Sequence, residues 1–90
     1  MQYKIVAILW QDHMSVNRGT LPVNMEDIFL KPTLTIGAII KKTPKMLVVL
    51  SDLERYADRD EGTYMIILRP NIVSIKEYGK IEIENIRFAP

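Results

Sequence analysis

Apolar residues in this chain come in short runs. Some carry the two-residue β period and some are continuous. The densest are residues 33–40 and 46–51, on either side of Lys41-Lys42-Thr43-Pro44-Lys45. Two β-rich runs around a short polar segment with one Pro and three Lys read as a hairpin. Both runs are almost unbroken, so both sheet faces are expected to be covered. A lone hairpin is marginal in water. The remaining chain therefore has to supply the cover.

The same pattern predicts a first strand over residues 3–10, ending at Trp10, and a third apolar strand over 63–68. Pro70 breaks that strand, because it has no N–H for a central ladder. The pattern resumes over 72–78, turns at Gly79, and alternates over Ile81-Glu82-Ile83-Glu84. Beyond Asn85 the phase slips to Ile86 and Phe88, which suggests a bulge at Asn85. Gly37, inside a strand, marks a bend or a close backbone approach. Residues 11–24 form a long polar connection, and connections of that length are usually functional or mobile. Asn24 caps a possible helical turn with Glu26 and Asp27 in its first turn, and Pro32 stops it. Residues 51–62 read as a loop, although Ser51 and Glu54 match a capping box and allow a helical turn. The expectation is an all-β domain spanning residues 1–90. It is a small antiparallel barrel of five or six strands, SH3-like or Sm-like in layout, with one or two short helical turns.

Composition narrows the classes. At 90 residues, with 48% hydrophobic, the chain is one domain with a modest core. With no cysteine there is no disulfide framework and no thiolate metal site. Twelve basic and eleven acidic residues leave a net charge of +1, so no global field favours nucleic acid or membrane. The longest apolar run is about six residues, against the ~20 needed to span a bilayer. Met1-Gln2-Tyr3-Lys4 does not read as a signal peptide, so the expected location is the cytoplasm.

Candidate chemistry is sparse. Asp12, His13 and Ser15 are neighbours on one loop, where adjacent side chains diverge, so they do not make a triad. Asp12 with Glu26, Asp27 or Asp52 lacks the spacing of a cation loop, as does Asp58-Arg59-Asp60-Glu61-Gly62. The four glycines are isolated, so no phosphate-binding glycine loop exists. No metal, no cofactor and no catalysis are expected. Two readings stand for Trp10: a core residue, or a stacking platform beside Asp12, Asn17 and Arg18. Two stand also for Lys41, Lys42 and Lys45: protection of a sheet edge, or a grip on a phosphate-bearing ligand. Arg69 is a further phosphate donor, as are Arg55 and Arg59 among their acids. The candidate ligand set is Trp10, Asp12, Asn17, Arg18, Lys41, Lys42, Lys45 and Arg69.

Trp10-Gln11-Asp12, with Ser15 soon after, and the Thr35-Ile36-Gly37 strand resemble a group of small phage and prophage proteins. The likeness continues through the apolar strand at 46–51, a variable loop, and the Leu68-Arg69-Pro70-Asn71-Ile72 break, covering about residues 3–75. This chain departs from the group in having Arg18-Gly19 where a second loop aromatic is usual, and Ala38 where a larger residue follows the glycine. The resemblance implies a small β-rich accessory protein. By analogy it is a homo-oligomer that sequesters a nucleotide-like ligand, as counter-defence factors do. The alternatives are a single-stranded nucleic-acid-binding barrel and an interaction module that pairs through its C-terminal strand.

Overall fold

The computed structural model describes residues 1–11 and 32–89. Five strands form one antiparallel sheet: β1 (Gln2–Gln11), β2 (Pro32–Lys42), β3 (Met46–Arg55), β4 (Asp60–Leu68) and β5 (Ile72–Glu82). Their order is β4-β3-β2-β1-β5. A single 3-10 turn, Arg69–Asn71, joins β4 to β5, with Pro70 in its first positions, where a missing N–H costs nothing. The expected proline break and the mostly β architecture are both present.

The two strands on either side of that turn lie at opposite edges of the sheet. In a flat sheet five strands wide the edges would be ~19 Å apart. Four chain steps from Leu68 to Ile72 reach at most ~14 Å. The sheet must therefore curl, and its bulges show how. Ile40, Ser51, Val73 and Tyr78 are each left without a ladder partner at a shift in register. Each such bulge bends its strand and adds twist. The curl stops short of a closed barrel, because β4 and β5 share no pairing.

Gly37 is where β2 turns from β1 toward β3. A Cβ there would overlap the Leu50 carbonyl oxygen and lie 2.9 Å from Val49 Cγ1. The expected close approach is real, and only glycine allows it.

Every strand feeds the core. Val6, Ile8 and Trp10 come from β1, Leu47 and Val49 from β3, and Ile67 from β4; Ile39 of β2 and Ile72 of β5 pack against them. Ile8 and Ile67 are fully buried, each contributing on the order of 1.5–3 kcal/mol. Trp10 is 6% exposed, and its indole N–H donates to Thr35 Oγ1 at 2.9 Å. Among the described residues, no buried side-chain nitrogen or oxygen lacks a partner.

Three expectations are corrected. Gly79 does not turn the chain: β5 runs through it, and its φ of +142° accommodates the Tyr78 bulge. Residues 51–62 hold no helical turn, and the expected loop shrinks to residues 56–59; the rest are the ends of a hairpin, closed by Tyr56 N–H donating to Arg59 O at 2.8 Å. The two capping-box residues are engaged elsewhere: Ser51 Oγ donates to Thr63 O, and Glu54 accepts from the Tyr56 hydroxyl. The phase slip at Asn85 is not a bulge, since β5 ends at Glu82; Asn85 instead has a positive φ of 32° in the irregular tail. The helical turn expected near Asn24 lies outside the described residues.

Candidate functional site

Two turns meet at one end of the sheet and carry the basic residues. In the β2–β3 turn the Thr43 hydroxyl accepts the backbone N–H groups of Lys45 (3.2 Å) and Met46 (3.1 Å), and Thr43 N–H donates to Met46 O at 2.9 Å. A threonine bonded to its own downstream backbone fixes a turn. Arg69, from the β4–β5 turn, docks on it. Its backbone N–H donates to Lys45 O at 3.0 Å, and its Nε–H donates to Thr43 O at 2.6 Å. The structure thus brings Arg69 beside the lysine turn, although 24 residues separate it from Lys45 in sequence.

Lys41 and Lys42 also face a cleft that sequence reasoning missed. Ile5 lies opposite Ala38, so the start of β1 runs beside the end of β2. There Gln2, Tyr3 and Lys4 join Lys41 and Lys42 around a cavity of about 220 Å³. Three lysines, a glutamine and a tyrosine line it together with Ile39 and Ile40. Lys4 lies 3.8 Å from Glu77, a loose and exposed contact. Lys41, Lys42, Lys45 and Arg69 form no ion pair among the described residues. The sequence signal was available in Tyr3-Lys4, but only pairing reveals that it sits against Lys41-Lys42.

Lys41 and Ile40 line a second, larger cavity of about 640 Å³ under the C-terminal tail. Its walls are mostly apolar, with Leu50, Leu53, Tyr64, Ile86 and Phe88. Arg87 and Asp60 close its far side. The Asp60 side chain is only 2% exposed. It accepts from Arg87 Nη2 at 2.8 Å, Nε at 3.2 Å and backbone N–H at 2.7 Å. Arg87 further donates to the carbonyls of Tyr56, Ala57 and Arg59. Hydrogen bonds from Arg87 hold the Asp60 carboxyl below its ordinary pKa, and the same carboxylate raises that of Arg87. The Tyr56 phenol is raised by its bond to the Glu54 carboxylate, then by the charge of Glu61.

The remaining sequence candidates divide cleanly. Trp10 is a core residue, its indole satisfied by Thr35. Asp12, Asn17 and Arg18 lie outside the described residues, as does His13. Arg55 and Arg59 are paired with Asp60, Asp58 and Glu61. Among the described residues no group of three His, Cys, Asp or Glu is placed to hold a metal, and no helix is long and apolar enough to cross a membrane. What the arrangement offers chemically is a group of cations on and beside a held turn, next to an apolar groove. No family profile, curated protein or solved structure matches this chain.

Proposed function

We propose that the protein is a non-catalytic cytoplasmic binder of a phosphate-bearing small ligand of nucleotide type. One observation carries the reading: Lys4, Lys41 and Lys42 line one cleft with Tyr3, while Thr43 and Arg69 hold the adjoining turn in place. Lys41 and Lys42 have no carboxylate partner among the described residues, and Lys4 has only an exposed contact with Glu77 at 3.8 Å; such ammonium groups attract phosphate oxygens. A held turn loses little entropy on binding. The 640 Å³ groove that shares Lys41 lies within the usual ~300–1,000 Å³ range for small-ligand pockets. Its apolar walls suit a base or other flat organic part. A counter-defence role in a phage-infected host follows from the resemblance alone.

The test is calorimetry with a panel of cyclic and linear nucleotides. Binding heat is expected for at least one, with affinity falling as salt rises. No heat across the panel, together with no co-purifying ligand, defeats the proposal. Lys45 and Arg69 carry the cations beyond the cleft, which favours a second reading, a single-stranded nucleic acid laid across both turns. Binding of oligonucleotides but not of mononucleotides, with a steep salt slope, selects it.

A further inference from the structure

Among the described residues no strand pairs with the outer side of β4 or β5, and the end of β4 and the start of β5 are apolar. On β4, Tyr64, Met65, Ile66 and Leu68 are between 42% and 60% exposed; on β5, Val73, Ile75, Tyr78 and Ile81 are between 42% and 62% exposed. Isolated exposed apolar residues are ordinary, but four on each outer strand are not. Strand edges that face water are usually blunted by Lys, Pro or charge. Residues 62–68 of β4 contain none of these. Each edge also has a regular segment that can accept a further strand. Tyr64–Leu68 pairs without a break against Leu50–Met46, and residues 74–77 pair without a break against 9–6.

We infer that β4 of one copy pairs antiparallel with β5 of the next, so that the chain assembles head to tail. The polarity of the two strands supports a second copy as the occupant. β4 begins with charge, at Asp60 and Glu61, and ends apolar, at Ile66 to Leu68; β5 begins apolar, at Ile72, Val73 and Ile75, and turns charged at Lys76, Glu77, Lys80 and Glu82. Antiparallel alignment sets apolar half against apolar half, while Asp60 and Glu61 at the start of β4 are already held by Arg87 and Arg59 of their own copy. Parallel alignment would set charge against apolar residues throughout. The contact joins two different edges, so it uses both on every copy, whereas a two-fold contact of β4 with β4 leaves β5 open. A head-to-tail contact closes into a ring when its rotation permits, and the curl of each sheet supplies rotation. The inference does not rest on the ligand reading, since no residue of the lysine cleft takes part.

The experiment is native mass spectrometry and sedimentation velocity on the wild-type chain and on two variants, Ile66→Lys and Ile75→Lys. Wild type is expected to be oligomeric without added nucleotide, and each variant monomeric with β-sheet circular dichroism retained. Mixed one to one, the variants are expected to form a heterodimer, because each keeps the one edge the other needs. A monomeric wild type overturns the inference, as do variants that stay oligomeric, and as does a mixture of folded variants that stays monomeric. Hydrogen exchange on wild type gives an answer that does not depend on variants folding. Amides of 64–68 and 74–77 that no strand of the same copy holds are expected to gain protection with protein concentration, and unchanged exchange overturns the inference.

Discussion

The two ends of the curled sheet use cations in opposite ways. At the end under the tail, Arg55, Arg59 and Arg87 are each engaged by Asp60, Asp58, Glu61 or backbone carbonyls. Their charge is neutralised, and the result is a clasp that ties the C-terminal tail to the β3–β4 turn. At the other end Lys41, Lys42 and Lys45 have no acid among the described residues, and Arg69 bonds to a neutral carbonyl. Arginine's planar fork suits a multidentate clasp, whereas a lysine ammonium remains a mobile point charge open to a ligand. With similar residue types at both ends, it is the placement of acids that separates structure from binding. Counting charges in the sequence cannot show that difference, because the chain sums to +1.

The largest effect is expected where both ends depend on one backbone. Gly37→Val drives a side chain into Leu50 O and Val49 Cγ1 and displaces the strand that carries Lys41 and Lys42. A loss on the order of 4 kcal/mol or more is expected, as for other severe core changes, with the lysine cleft and the tail groove both disrupted. Urea denaturation followed by tryptophan fluorescence checks it, and a loss below ~1 kcal/mol would show that β2 bends without glycine.

Next comes the clasp alone. Asp60→Ala removes a buried carboxylate and leaves the partly exposed Arg87 without it. Amides of residues 83–89 are then expected to exchange like free chain, and nucleotide affinity to fall, because Ile86 and Phe88 wall the groove proposed for the base, while binding of inorganic phosphate at Lys41 and Lys42 persists. Loss of phosphate binding as well would mean that the two ends are not separable. Acid should act on the same bond. The Asp60 carboxyl is held below its ordinary value of 3.8 by Arg87. Its contribution is therefore complete above that value and is lost as pH falls from there through the folded-state pKa. Tail protection relative to free chain at the same pH, followed from pH 6 downward, is expected to stay flat until about that value and then to fall; a fall already near neutral pH would assign the tail's hold to other contacts.

Much of the scaffold was legible in the sequence. The runs at 33–40 and 46–51 and the Pro70 break show directly, because burial on two faces and a missing donor leave local marks. Gly37 as a bend or close approach was also legible, but Trp10 stood between core and stacking platform in the candidate ligand set, and only its burial and its bond to Thr35 place it in the core. The strand ends at 51–55 and 60–62 were not. They are polar and held by a ladder between exposed residues, with Asp52 Oδ1 accepting Thr63 N–H at 3.0 Å, so no apolar period announces them. Gly79 misled because a glycine with positive φ serves a bulge as well as a turn. Of the site, the lysine turn was visible. Tyr3 and Lys4 were not, because only strand register sets them beside Lys41 and Lys42. Arg87 was invisible for the same reason: its partner lies 27 residues away.

A smaller effect lies in the scaffold common to both ends. Thr35→Val keeps the shape at β2 but removes the acceptor for the Trp10 indole. A loss of ~1–3 kcal/mol is expected, the usual penalty for an orphaned buried donor. Thermal unfolding reads it, and no change would mean that water replaces the hydroxyl.

The smallest effect on stability is the one that most sharpens the contrast between the two ends. Lys41→Gln with Lys42→Gln removes two exposed charges that have no partner in the described fold, so stability should change by no more than ~0.5 kcal/mol. Binding should respond strongly. A hydrogen bond to a charged group is worth ~1.5–3 kcal/mol, so a tenfold or greater loss of nucleotide affinity is expected, with a shallower salt dependence. Arg59→Gln at the clasp end is the matched control: it removes one cation already held by Asp58 and Glu61, and affinity should not move. If the lysine variant binds as wild type does while the Arg59 variant does not, the roles assigned to the two ends are reversed. The ligand then belongs under the tail, where Lys41 is only a rim.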